Sequence, residues 1–228
     1  MNDKHEPTIA IIGGTGDLGT GLARRWAEAG YPVIIGSRTP EKARAAAEHC
    51  REVLSERGAT SVSVAAQENR TAAEAADIVT LTVPFAHHRS TLEHLQPVLA
   101  GKILIDTTVP LIPPKVARVQ LPPEGSAGQI AQELLGDEVK VVSAFQNTAA
   151  QHLQDGTGMD CDVLVSGNDK QARTAVIKLV NTAGMRGFHA GRINNAAAAE
   201  ALTSVIININ RQFKCHAGIR ITGVDGAE

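Results

Sequence analysis

Gly14, Gly16 and Gly19 carry the first chemistry legible in this chain. They follow the apolar run Ile9-Ala10-Ile11-Ile12 at once and open a segment of helical pattern that ends near Gly30. An apolar strand, a glycine turn and a helix, in that order, make a phosphate-holding device. One glycine allows the tight turn, the next lets backbone N–H groups of residues 15–18 approach a pyrophosphate, and Gly19 lets the helix pack closely on the strand. The unpaired N–H groups of the helix start add a partial positive charge. The second strand, ending Gly36-Ser37-Arg38, selects the dinucleotide. An acidic residue about 20 positions on bonds a ribose 2′-hydroxyl, whereas an arginine accommodates a 2′-phosphate. No carboxylate stands at this strand tip, and Arg38 is followed one turn later by Lys42. A planar fork and a point charge read as NADP(H) rather than NAD(H).

Carbonyl reduction calls for a proton donor near the forming alkoxide, and the chain offers few. Its one tyrosine, Tyr31, sits in the turn before the second strand, so no Ser/Tyr/Lys arrangement is visible. Lys178 and Asn181 lie three apart on a helix that reads as scaffold. His87, His88, His152 and His216 could supply that donor, although such a histidine is more often a helix-end or surface residue. In an open α/β sheet, ligands bind outside the carboxyl ends of the strands. Thr82-Val83-Pro84-Phe85, Thr107-Thr108-Val109-Pro110 and Ala144-Phe145-Gln146-Asn147-Thr148-Ala149-Ala150 fall there. These segments are neutral and mostly small, which suits a flat ring.

The elements that must position these groups alternate. Residues 40–57 read as an alanine-rich helix, and a short strand lies near Val62-Ser63-Val64. Thr71, with Glu74 three residues on, predicts a capping-box start for a brief helix. Residues 78–83 and 103–106 are buried strands. Between Pro110 and Pro123 stand five of the ten prolines, which predicts an irregular crossover. Residues 126–135 are helical, 139–144 and 162–166 are strands, and Asn168 or Asp169 caps a helix running to about residue 183. Residues 194–210 form a last helix, alanine-rich and then isoleucine-rich. Such alternation predicts an α/β fold: a doubly wound, mostly parallel Rossmann sheet, with residues 1–190 as the NADP-binding domain and 191–228 as a small helical C-terminal segment.

Composition bounds the rest. The 228 residues are 43% hydrophobic, 20% charged and only 3% aromatic, so small aliphatic side chains must fill the core. A net charge of −2 gives no field that favours nucleic acid or an anionic membrane. No segment is apolar enough to span a bilayer, and the polar start does not read as a signal peptide. Cys50, Cys161 and Cys215 are odd in number and irregularly spaced, which fits a reducing, cytoplasmic setting without a metal cluster. Toward the end Arg186, Arg192, Arg211, Lys214 and Arg220 face one acid, Glu200. That surplus reads either as a site for an anionic ligand or as a solvated helix face. Val205-Ile206-Ile207 is more apolar than a lone terminal helix needs, which predicts a homodimer.

The run from Ile11 to Arg38, Leu81-Thr82-Val83-Pro84-Phe85, Ser143-Ala144-Phe145 and the ending Ala217-Gly218-Ile219-Arg220-Ile221-Thr222-Gly223 together resemble the NADPH-dependent reductases of the deazaflavin coenzyme F420, over nearly the full length. The resemblance implies an enzyme that moves a hydride reversibly between NADP(H) and F420. It implies that Gly14, Thr15, Gly16, Asp17 and Leu18 hold the pyrophosphate, and that Ser37, Arg38 and Lys42 hold the 2′-phosphate. Phe85, Val109 and Ala150 then complete the NADP(H) site, and Ala217 meets the deazaflavin. Residues 191–228 would complete the deazaflavin site. This chain departs from the archaeal members at Gln146, where they have a histidine, and at Arg192-Ile193, where they have Pro-Leu. Hydride passage between two ring carbons requires no catalytic side chain, because orientation alone supplies about 7–11 kcal/mol. The rival readings are an NADPH-dependent reductase of a small imine, ketone or metal chelate, with His87 or His152 as proton donor, and an NADPH-binding sensor without turnover.

Overall fold

The structure is a computed structural model and describes residues 6–155 and 159–224. The polar start read from the sequence falls mostly on residues 1–5, outside the described residues. Eight strands are β1 (Ile9–Ile12), β2 (Val33–Ser37), β3 (Val64–Glu68), β4 (Ile78–Leu81), β5 (Ile103–Asp106), β6 (Lys140–Ser143), β7 (Asp162–Gly167) and β8 (Arg186–Gly191). They form one sheet in the order β3-β2-β1-β4-β5-β6-β7-β8, parallel throughout except where β7 runs against β6. The described helices are α1 (Asp17–Glu28), α2 (Pro40–Glu56), α3 (Asn69–Ala75), α4 (His88–Leu95), α5 (Ala127–Leu135), α6 (Ala150–Gln154), α7 (Lys170–Thr182) and α8 (Ala196–Phe213). This is the doubly wound α/β arrangement that the alternating pattern predicts.

Helices on both faces bury the central strands, so these read as unbroken apolar runs. Their side chains still divide with a period of two. Ile9 and Ile11 join Leu22, Trp26, Leu54 and Val176 on one face, while Ala10 and Ile12 join Leu92, Leu95, Leu99 and Ala131 on the other. Few aromatics are available, and two of them meet here. The Phe145 ring stands edge-on to Trp26 at 6.0 Å between centroids, and Phe145 takes a φ of +73° at the turn after β6.

Several local readings shift. β3 runs over Val64–Glu68 because parallel pairing with Val33–Ser37 draws it past the apolar residues. Its last residue, Glu68, caps α3 by accepting from the Arg70 N–H, so Thr71 lies inside the helix rather than at its start. Asp169, not Asn168, caps α7, accepting from the Ala172 N–H at 2.7 Å. α4, α6 and β8 escaped the sequence reading. β8 is a half-exposed edge strand of mixed composition, and α4 is polar on its outer side. Between β5 and α5 the proline-rich residues 107–126 form no helix or strand.

Candidate functional site

The chain order reverses at β1: β2 and β3 lie on one side of it, β4 and β5 on the other. The crevice outside that switch is where open α/β sheets bind ligands. The glycine turn opens on it, and Gly13, Gly14 and Gly19 are each held to their type by a different contact. Gly13 has a φ of +69°, and a Cβ there would meet Val83 Cγ1 at 2.7 Å. A Cβ on Gly14 would lie 2.6 Å from the Ile11 carbonyl oxygen, and one on Gly19 would lie 2.7 Å from Gly14 Cα. Gly19 therefore does what the spacing implies, bringing α1 against the turn. Gly16 alone has open space around it. It is the N-cap of α1 and offers no side chain to the first-turn N–H groups, which leaves them facing the crevice.

A groove of about 340 Å³ brings together Thr15, Gly16, Ser37, Arg38 and Lys42 from the predicted set, with Thr82, Val83 and Pro84 from the tip of β4. Among the described residues neither Arg38 nor Lys42 has a hydrogen-bond or ion-pair partner. Ser37 is buried and accepts from the Thr39 N–H at 3.2 Å, which fixes the turn that presents them. Two unspent cations beside an open helix N-terminus suit a dianionic phosphate and a pyrophosphate. Asp17 opens on the adjoining groove with Thr15, Lys42 and Arg24. Leu18 packs partly on the core, and Gly14 is buried beneath the turn.

The remaining predicted residues lie apart from that groove. Phe85 follows β4 and stacks on the His88 ring, 6.1 Å between centroids and 26° between planes. Val109 is half-buried after β5. Ala150 opens α6, which leans on α1: Gln154 Nε2 donates to the Asp17 carbonyl at 2.6 Å. Ala217 lies in the C-terminal tail, its N–H donating to Asn210 Oδ1 at 2.7 Å. A second cavity, of about 250 Å³, is walled by Ala149, Gly218, His152, His216 and Cys161. The structure thus places Ala150 and Ala217 each one residue from this cavity's lining.

Four residues lining the groove went unread: Gly13, Thr39, Asn69 and Thr91. Gly13 adjoins the motif and could have been found from the doubled glycine. Asn69 Oδ1 accepts from the Gly13 N–H at 3.4 Å, a contact across 56 residues that no local pattern signals.

Behind the crevice lies a buried polar cluster. His88 Nε2 and Asp106 Oδ2 are 2.6 Å apart with both side chains covered, and Asp106 Oδ1 accepts from the Thr108 N–H at 3.0 Å. Gln146 Nε2 donates to the Asp106 carbonyl and to Ser143 Oγ, both at 2.9 Å, so this departure from the archaeal pattern serves as a brace between β5 and β6. Glu200 of α8 accepts from the N–H groups of Ala127 (2.7 Å) and Gly128 (3.1 Å) at the start of α5. Burial pushes its carboxyl up to about 8, outweighing those two donors, and the Asp106 charge adds to the rise.

Of the four histidines weighed as proton donors, His87 lines the groove, His88 is locked on Asp106, and His152 meets His216 edge-on at 5.7 Å beside the second cavity. The basic C-terminal surplus is smaller than its count. Arg186 is held by Asp162 and Arg220 pairs with Asp160, which leaves Arg192, Arg211 and Lys214. Among the described residues no group of three His, Cys, Asp or Glu side chains could hold a metal ion.

A parallel sheet with its reversal at β1, a glycine turn open at Gly16, and unpartnered cations beyond β2 define an NADP-binding protein of the Rossmann class. Residues 8–110 match the family model for NADP oxidoreductase, coenzyme F420-dependent. The F420-dependent NADP reductase of Methanocaldococcus jannaschii is 42% identical over 95% of this chain and 99% of its own length. That of Methanothermobacter thermautotrophicus is 40% identical over 96% and 97%. A solved structure from Arthrobacter sp. FB24, assigned to the same reductases, superposes with a TM-score of 0.76 at 29% identity, covering 94% of this chain and all of that one. The chain belongs to the F420-dependent NADP reductase family.

Proposed function

We propose that this chain is an oxidoreductase that transfers a hydride reversibly between NADP(H) and coenzyme F420. The observation that carries this reading is likeness along the whole chain, 42% over 95% of it, to a reductase named for both substrates. The groove supports it independently, because open space at Gly16 and the free cations Arg38 and Lys42 are what a 2′-phosphorylated dinucleotide requires.

When both are bound, the nicotinamide and deazaflavin rings supply the redox chemistry themselves. The protein's own residues bind and orient. The first-turn N–H groups of residues 15–18 take the pyrophosphate, and Gly14 and Gly19 let the turn sit close enough to do so. Ser37 shapes the loop from which Arg38 and Lys42 take the 2′-phosphate. Phe85, braced by His88, and Val109, downstream of the Asp106–Thr108 hydrogen bond, form the walls toward the nicotinamide, with Ala150 beyond them. Ala217 and the rest of residues 191–228 complete the deazaflavin side, next to the cavity bounded by Ala149 and Gly218.

The protein acts as a homodimer in this reading. Val205, Ile209 and Phe213 on the outer face of α8 are 45%, 37% and 67% exposed, and Ile112, Val119 and Leu121 of the proline-rich crossover are exposed too. The Ser204 hydroxyl donates to the Arg118 carbonyl, tying the two segments together. A patch of that kind marks an association surface. Three free cysteines suit a reducing cytoplasm, and no described helix is long and apolar enough to cross a membrane.

The test is to mix the purified protein with NADPH and F420 and follow the deazaflavin visible band. Its bleaching is the expected result. Tight NADPH binding with an unchanged band would refute the reading in favour of a sensor.

A further inference from the structure

The C-terminal tail is fastened to the sheet by one buried carboxylate. β7 pairs with β6 only through Ser166 and Gly167, so the first half of β7 has an edge that β6 leaves bare. The tail supplies partners there. The Asp162 N–H donates to the Ile219 carbonyl at 2.9 Å, and the Ile221 N–H donates to Asp162 Oδ2 at 2.5 Å. Arg186 grips the same carboxylate from β8, with Nε to Oδ1 at 2.8 Å and Nη2 to Oδ2 at 2.9 Å, and its Nη2 also reaches the Ile221 carbonyl at 3.4 Å. The Asp162 side chain is completely covered. Between the Asn210 tie and this clasp, Gly218 closes the 250 Å³ cavity by lying directly on Cys161, where a Cβ would meet Sγ at 2.6 Å.

Around that clasp, Arg220 of the tail pairs with the exposed Asp160 and comes within 4.0 Å of Asp162 Oδ1, and His216 meets His152 edge-on. His216, Gly218, Arg220 and Thr222 are exposed, so the tail's order depends on a few polar and ring contacts centred on Asp162, as in the segments that open most readily. Burial pushes the Asp162 carboxyl up, yet Arg186 and the Ile221 N–H more than reverse this and hold it below the usual carboxylate range. The clasp is therefore charged at neutral pH.

We propose that Asp162 is a positioning residue for the second substrate: clamped by Arg186, it fixes residues 217–221 as the wall against which the deazaflavin binds. This rests on the function proposed above. Asp162 touches neither ring; it acts through the tail's main chain. Loosening the tail lets the site sample states without that wall. Binding of the deazaflavin is weakened as much before the transition state as in it, which is uniform binding and appears in KM rather than kcat.

The experiment is steady-state kinetics of wild type, Asp162→Asn and Arg186→Gln, varying F420 and NADPH separately, with amide hydrogen exchange of residues 217–222 in the full-length protein. Asp162→Asn removes charge-assisted hydrogen bonds, so KM for F420 should rise about tenfold or more, with KM for NADPH within about twofold and kcat little changed. Exchange in the tail should quicken in parallel. Arg186 is half-exposed on the edge strand, and Arg186→Gln carries the test in the same direction should the buried substitution not fold. Faster exchange with both KM values unmoved, or equal rises for both substrates, would overturn the inference alone. A wild type that does not reduce F420 would overturn the function and this inference with it.

Discussion

Replacing Arg38 by alanine isolates the choice between the two nicotinamide dinucleotides. Arg38 is exposed at the tip of β2, lines the crevice with Lys42, and has no partner within the described residues, so its removal breaks nothing in the fold. A hydrogen bond to a charged group is worth about 1.5–3 kcal/mol, and the two charges attract by about 1 kcal/mol at 4 Å in water and about 4 kcal/mol at an effective dielectric near 20. Both figures bracket a loss of about 1.5–3 kcal/mol at this exposed site. This is about 10- to 150-fold in kcat/KM for NADPH. NADH carries a hydroxyl where NADPH carries the phosphate, so its kcat/KM should barely move. Arg38→Glu adds repulsion of about 1 kcal/mol even with full water screening, a further severalfold against NADPH alone. The assay is initial-rate kinetics with each cofactor at low salt and again near 1 M, where a Debye length of about 3 Å shrinks the difference. Proportionate losses with NADH and NADPH would refute a 2′-phosphate role for Arg38.

Two further outcomes follow from buried and exposed features away from the groove. Glu200 has its carboxyl raised to about 8 against 4.5 when free, so the folded state keeps a proton that the unfolded state releases. Stability must then fall as pH rises from about 4.5 to about 8, by up to about 5 kcal/mol. Glu200→Gln should melt lower at pH 5, because its amide NH2 places a donor against one of the two N–H groups that separate carboxyl oxygens now accept from, and should lose this slope; parallel melting-against-pH curves for the two proteins would refute it. For the α8 surface, wild type should sediment as a dimer and Ile209→Glu with Phe213→Glu as a monomer, whereas a monomeric wild type ends that proposal.

The parts of the site legible in the sequence are those whose signal is contiguous. The glycine turn works through the chain's own next helix, and Arg38 and Lys42 follow their strand within one turn, so spacing alone brings Thr15, Gly16, Ser37, Arg38 and Lys42 to one groove. Strand and helix order was legible for the same reason, since buried parallel strands announce themselves as apolar runs. β8 carried no such run, because an edge strand buries little. The start of α3 was misplaced because a glutamate ending the previous strand took the capping role that Thr71 suggested.

What stayed hidden was assembled across the fold. His88 finds Asp106 from another element, Glu200 reaches across 73 residues to the start of α5, and the Arg186–Asp162 clasp joins two strands to a tail some 59 residues on. A histidine, a glutamate or an arginine read alone gives no hint of such a partner. The basic surplus near the C-terminus shows the cost of counting charges without knowing their neighbours: Arg186 and Arg220 are bound to acids within the protein. Arg38 and Lys42 have the same charge but no partner among the described residues. Position on a groove together with the absence of a partner among the described residues, rather than charge itself, separates a cation poised for a ligand from one that builds the scaffold. By that criterion two side chains and a helix start mark the groove end of the sheet as the place for an anionic ligand, while the C-terminal tail is fastened through a carboxylate wholly inside the protein.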